Sequence, residues 1–171
     1  IVGTAYGEQV SFTAHIEPTV TTQAVTDITT TTATGNGSIT ALGVPNPTQH
    51  GVCWSTSENP DITGSKTEQG DATATGAFTS SITGLTPITT YYVRAYATNN
   101  AGTSYGEQVS FTTLQLPEVN TLAVTEITKT TATGNGNITA LGVPNPTQHG
   151  FCWGTTENPD ITGINKTEQG E

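Results

Sequence analysis

Between residues 18 and 113 apolar side chains recur at every second position in short bursts, and each burst ends in Gly, Pro, Asn or Asp. Period-2 alternation over five to eight residues is the pattern of half-buried strands, and the turn residues between bursts set their ends. Seven strands are predicted: Val20–Ile28, Thr30–Thr40, His50–Thr56, Lys66–Gln69, Ala77–Thr83, Tyr91–Thr98 and Tyr105–Thr113. Asn99-Asn100-Ala101-Gly102 makes the tight connection between the last two. Two packed antiparallel sheets are the economical way to bury these faces, so the pattern predicts an all-β sandwich of about 100 residues.

Alternation also assigns faces. Tyr91, Val93, Ala95 and Ala97 fall on one side of their strand and are expected in the core, which turns Tyr92, Arg94 and Tyr96 outward. Val52 and Trp54 are expected inward for their size, placing Cys53 on the outer face. Ala33, Gly35 and Gly37 lack bulk and leave room that an inward Trp54 would fill.

The chain repeats itself at a spacing of 99 residues. Ile39–Gly51 recurs unchanged as Ile138–Gly150, and Gly3–Gly64 matches Gly102–Gly163 at 48 of 62 positions. Taking Pro18 and Pro117 as equivalent starts divides the chain into three. Residues 1–17 form the C-terminal strand of a preceding repeat, 18–116 a complete repeat and 117–171 the N-terminal part of a following one. Counterparts of Asp71–Asn100 are missing from both end pieces, and the chain holds no Met. Both features are expected of a stretch of a longer array, or of an assembly whose neighbours supply the absent strands. The sequence leaves the two open.

Composition narrows the partners. A net charge of -10 with three Lys and one Arg cannot neutralise a phosphate track, which excludes nucleic acid and disfavours an anionic membrane surface. No apolar run approaches the roughly 18 residues of a membrane helix. Thr fills 39 positions, a β-branched bias towards extended structure.

The run Leu85-Thr86-Pro87-Ile88-Thr89-Thr90-Tyr91, followed by Tyr92-Val93-Arg94-Ala95-Tyr96-Ala97 and by Asn99-Asn100-Ala101-Gly102, resembles the fibronectin type III family, whose tyrosine corner reads Leu-x-Pro-x-Thr-x-Tyr. The first half departs from the animal version. It lacks the early Trp and carries Gly51-Val52-Cys53-Trp54-Ser55-Thr56 and Asn59-Pro60, a combination similar to the tandem repeats of large secreted bacterial surface proteins. The resemblance implies an immunoglobulin-like sandwich, strung in tandem, outside the cell, acting as stalk, spacer or adhesive module without chemistry of its own. It also implies that the Tyr91 hydroxyl bonds backbone upstream at the corner.

Candidate chemistry is sparse. His50 precedes Cys53 by three residues, an odd separation that puts the two on opposite strand faces and so argues against a shared proton. Cys53 and Cys152 are one per repeat; stacked repeats would hold them about 35 to 45 Å apart, beyond bridging, so both are expected as free thiols. Glu58, Asn59, Asp61, Glu68 and Asp71 offer oxygens without the spacing of a calcium loop, and no metal or cofactor is expected. The sequons at Asn36, Asn137 and Asn165 arise easily by chance in so Thr-rich a chain, and modification there is not expected. No phosphate loop or nucleophile elbow is present, and an enzyme is not expected.

What remains is surface. The outward stripe of Tyr92, Arg94 and Tyr96 is the candidate contact surface, large amphipathic side chains around the only Arg, with cross-strand packing as the competing use of the same residues. The function expected is a non-catalytic structural or adhesive module of an extracellular cell-surface stalk or filament, its partners being neighbouring copies of the repeat assembled end to end. The joints Ile16-Glu17-Pro18 and Gln115-Leu116-Pro117-Glu118 contain Pro and no Gly, which favours stiffness. Residues 1–17 would supply a last strand that lacks its own domain, a route to assembly by strand donation. The alternative is a carbohydrate-binding accessory module of a secreted glycan-degrading protein, gripping a glycan with Trp54, Tyr92 or Tyr96.

Overall fold

In a computed structural model, residues 2–163 and 165–170 are described, and they are all-β with no helix among them. Eight strands lie between residues 19 and 112: β1 (Thr19–Thr26), β2 (Ala33–Ala41), β3 (Gln49–Ser55), β4 (Ser65–Lys66), β5 (Gly76–Ile82), β6 (Thr90–Thr98), β7 (Thr103–Tyr105) and β8 (Val109–Thr112). β1, β2 and β5 form one antiparallel sheet in that order; β4, β3, β6 and β7 form the other, with β8 also paired to β6. The last predicted strand is thus two. They part at Gly106, where the chain crosses β1 so closely that a methyl would stand 2.4 Å from the Thr22 amide nitrogen.

The chain forms two compact units, the first comprising residues 1–27, 32–83 and 90–111. Its core lies between the two sheets. Val20 and Ile39 of one sheet meet Ala95 and Ala97 of the other, with Ala72, Leu42 and Phe78 packed around them. Tyr91, Val93, Ala95 and Ala97 are buried as the alternation predicts, and Tyr91 stacks on Phe111 with ring centroids 5.8 Å apart.

The room over the β2 glycines is filled otherwise than expected. Methyls at Gly35 and Gly37 would meet Val52 (2.9 Å) and Ile82 (3.2 Å), and Phe78 (2.5 Å) and Ala95 (2.8 Å), respectively. Trp54 stays half-buried. Phe78 is the direct cross-strand partner of Gly37, and the tip of its ring, Cζ and Cε1, stands over the bare backbone, an arrangement that shields a glycine within a sheet.

The second unit comprises residues 28–31, 84–89 and 112–171. It contains β9 (Glu118–Thr125) paired antiparallel with β10 (Thr133–Ala140). Isolated bridges join His149 to Gln169 and Cys152 to Lys166. Local detail follows the first unit where the sequence does. Asn36 donates its side-chain amide to Ala24 O at 2.8 Å, and Asn135 to Ala123 O at 2.9 Å. Phe151 stands where the first unit has Val52 and spreads over both Gly134 (3.1 Å) and Gly136 (3.4 Å).

Candidate functional site

The outer face of the β3–β6–β7 sheet holds the predicted stripe. The strand register sets Tyr92 beside Ser55, Arg94 beside Cys53 and Tyr96 beside Gly51, with Tyr105 across from Tyr96. Residues 56–69 then turn back over this face. The Cys53 thiol donates to Pro60 O at 3.4 Å, the Ile62 amide donates to the Tyr105 hydroxyl at 3.2 Å, and the Asn59 amide donates to Gln108 Oε1. Thr67 pairs with β3 through its amide to Val52 O (2.9 Å), while its hydroxyl accepts from the Val52 amide (3.0 Å).

The cover changes what the stripe can do. Tyr96, expected as an exposed contact residue, is 1% exposed: it lies beneath Thr67 and donates its hydroxyl to Thr67 O at 2.6 Å. Cys53 points to the outer face as expected, yet is fully buried there. Arg94 is half-buried, its guanidinium stacked 4.5 Å above the Tyr105 ring and its Nε donating to Gly106 O at 3.0 Å. Tyr92 is half-exposed. The structure brings Arg94 and Tyr96 into one covered layer with Cys53 and Tyr105, and leaves Tyr92 and the rim of Arg94 facing solvent.

Electrostatics follow burial. Removal from water pushes the Cys53 thiol up to about 11 against the opposing pull of Arg94, and burial followed by the nearby Glu68 charge pushes the Tyr96 phenol up to about 12. Both groups are held in their neutral forms.

His50 and Cys53 do not meet. His50 Nδ1 donates to Gly70 O at 2.8 Å and the ring sits edge-on to Phe78, 5.0 Å between centroids, whereas Cys53 turns to Pro60. Asp61 and its counterpart Asp160 accept from the hydroxyl and amide of Thr63 and Thr162, bonds that hold each carboxyl below its usual range. Among the described residues no three His, Cys, Asp or Glu side chains converge.

Two features escaped the sequence reading. One is Asn99, a buried side chain that donates to Ile16 O and Pro45 O, each at 2.7 Å, and accepts from the Ala101 amide at 2.8 Å. The other is the seat of Tyr96 against Thr67. Its signal was Gly51 inside a strand, which marks close approach of another backbone: a methyl there would stand 2.4 Å from Thr67 O.

The same seat occurs in the second unit without a tyrosine in it. The Phe151 amide donates to the Thr167 hydroxyl at 3.0 Å, the Cys152 thiol to Pro159 O at 3.2 Å, and a methyl on Gly150 would stand 2.0 Å from Thr167 O. An open groove of about 240 Å³ remains beside Gly150, Cys152, Ile161, Lys166, Thr167 and Glu168.

Among solved structures, the sensor domain of the anti-sigma factor RsgI4 from Pseudobacteroides cellulosolvens is similar at 20% identity and a TM-score of 0.41, over 56% of this chain and 93% of that one. No protein-family model and no curated protein matches the chain.

Proposed function

We propose that this chain is a non-catalytic structural segment of an extracellular surface stalk or filament, built from fibronectin type III-like units divided at Pro18 and Pro117. The observation that carries this reading is the way the chain enters each unit. Ile16 and Val44 exchange two backbone hydrogen bonds of 2.9 and 2.8 Å, and Gln115 and Val143, one repeat later, exchange two of 3.2 and 2.9 Å. Gly43 (φ 74°) and Gly142 (φ 79°) bring the receiving loop against the entering strand, where a methyl would stand 2.3 Å from Ile16 O and 2.6 Å from Gln115 O. A clamp of this kind, followed by Pro, favours a stiff joint. His50, Cys53 and Tyr96 are each engaged in a hydrogen bond to a backbone carbonyl of the fold.

Hydrogen exchange tests the joint. The Ile16, Val44, Gln115 and Val143 amides should exchange with the protection of the strands, and exchange as fast as that of residues 2–15 would make the joints hinges and sink the stalk reading. The glycan-binding alternative draws on Trp153, 54% exposed, and on Tyr92. A glycan array should stay silent; strong binding lost on Trp153→Ala or Tyr92→Ala would favour that alternative.

A further inference from the structure

We propose that Arg94 is a carboxylate-binding site, whose two terminal nitrogens take the two oxygens of one carboxylate group side by side. The site lies wholly within the first unit and does not rest on the stalk reading.

The arginine is fixed before any ligand arrives. Its guanidinium lies 4.5 Å above the Tyr105 ring, and its Nε donates to Gly106 O at 3.0 Å. The stacked face and the bonded Nε set the plane of the group and take up one of its five donors. The remaining donors are on the terminal nitrogens, and among the described residues no hydrogen bond or ion pair reaches them. Half-burial strips water from this charge without supplying a counter-ion. A guanidinium so held gains more from a carboxylate than a solvated one does, because less water competes and less side-chain freedom is lost on binding.

The fold itself leaves the position open. The chain holds 14 Asp and Glu, yet both ion pairs among the described residues are made by lysines, Lys66 with Glu68 and Lys166 with Glu168. Asp61, in the turn that covers Cys53, accepts from the Thr63 amide and hydroxyl instead. The residues that share the Arg94 face of the sheet, Tyr92, Tyr96, Cys53 and Tyr105, are neutral at physiological pH. Tyr92, half-exposed, lies about 7 Å along β6 and bounds the site on that side. The planar fork of an arginine matches a carboxylate in shape as well as charge. A net charge of -10 turns away runs of negative charge, so the ligand that fits presents one carboxylate by itself. A second copy of this chain or a different molecule can present it, and the chemistry at Arg94 is the same.

Arg94 is the only Arg in the chain, so its Nε–Hε pair gives one signal in a nitrogen–proton NMR spectrum of the full chain. Sodium acetate is the probe, with sodium chloride holding ionic strength constant. The Nε signal and the Tyr105 and Gly106 amides should move along one saturating curve, half-saturated below about 0.1 M acetate. A solvated surface arginine gives a straight line over that range. Arg94→Lys keeps the charge and loses the fork; read from the same two amides, its half-saturation should rise at least about tenfold. A straight line in the parental chain, or an Arg94→Lys chain that saturates where the parent does, would overturn the proposal. The parental curve decides even if the variant does not fold. Dilution without acetate then identifies the source. An Nε signal that moves with chain concentration in the direction acetate moves it assigns the carboxylate to a second copy, and a stationary signal beside a saturating acetate curve assigns it to a different molecule.

Discussion

Tyr96 donates its hydroxyl to the backbone carbonyl of Thr67 across 2.6 Å, and this bond joins those from Cys53, Tyr105 and Gln108 that tie the returning loop to the outer face of the larger sheet. Because the tyrosine is almost wholly covered, removing the hydroxyl leaves the Thr67 carbonyl with one partner fewer beside a buried ring. Tyr96→Phe should lower unfolding free energy by about 1 kcal/mol, read from the urea midpoint at constant slope.

Raising the pH tests the same layer. Cys53, held up to about 11 from 9.0, and Tyr96, held up to about 12 from 10.0, both bind their protons more tightly folded than unfolded. The stability they contribute is full below pH 9 and is lost as pH rises, first between 9 and 11 through the thiol and then between 10 and 12 through the phenol. Melting temperature should therefore fall steadily above pH 9. The Tyr96→Phe chain should show a shallower fall above pH 10, and parallel curves for the two chains would remove Tyr96 from the effect.

The two thiols should report their surroundings separately. Cys53 is fully buried and Cys152 only partly. A thiol reagent at neutral pH should modify one cysteine per chain within minutes, mapping to Cys152 by mass spectrometry, and Cys53 only after denaturation. Equal rates at both sites would mean that the 57–64 turn opens readily over Cys53.

Much of this arrangement was legible in the chain. Period-2 alternation located the strands to within a few residues and put Tyr91, Val93, Ala95 and Ala97 inside, since burial on one face is what that period records. Exposure of the other face was not legible. Alternation gives the direction of Tyr96 and Cys53, but whether anything lies above them depends on the path of residues 56–69, which are rich in turn residues and carry no period. The β2 glycines misled for a related reason: they announced space to be filled, and the filler was Phe78 from the neighbouring strand. A sequence shows where bulk is missing before it shows which side chain arrives.

That competition for space yields a prediction at Val52. In the first unit Val52 packs on Gly35 while Phe78 covers Gly37; in the second, Phe151 covers both equivalents alone. Placing the second unit's residue in the first, as Val52→Phe, forces two aromatic rings over one glycine. It should destabilise the first unit by about 1 to 3 kcal/mol. If the conflict is with Phe78, adding Phe78→Ala should cost less in the Val52→Phe background than in the parent, a coupling that a double-mutant cycle measures directly. Simple additivity would place the strain elsewhere.

Asn99 allows the sharpest separation of hydrogen bonding from packing. Its amide spends both protons, on Ile16 O and Pro45 O, and its oxygen accepts from Ala101, so one buried side chain joins the entering strand, the Pro45 loop and its own turn. Asn99→Ala leaves those carbonyls short of a donor and should cost about 1 to 3 kcal/mol, with faster proteolysis around His15–Pro18. Asn99→Asp keeps the shape but sets carboxylate oxygen against two carbonyl oxygens. Burial and repulsion would raise that carboxyl's pKa, so the Asp variant binds its proton more tightly folded than unfolded and loses stability as pH rises through that value. At neutral pH it should be less stable than Asn99→Ala, and near pH 4, where the protonated acid donates one of the two lost bonds, the order should reverse. Thermal melts of both variants at the two pH values decide the matter. An unchanged order would mean that Asn99 acts by filling space, and that the entering strand is held by the Ile16–Val44 pair alone.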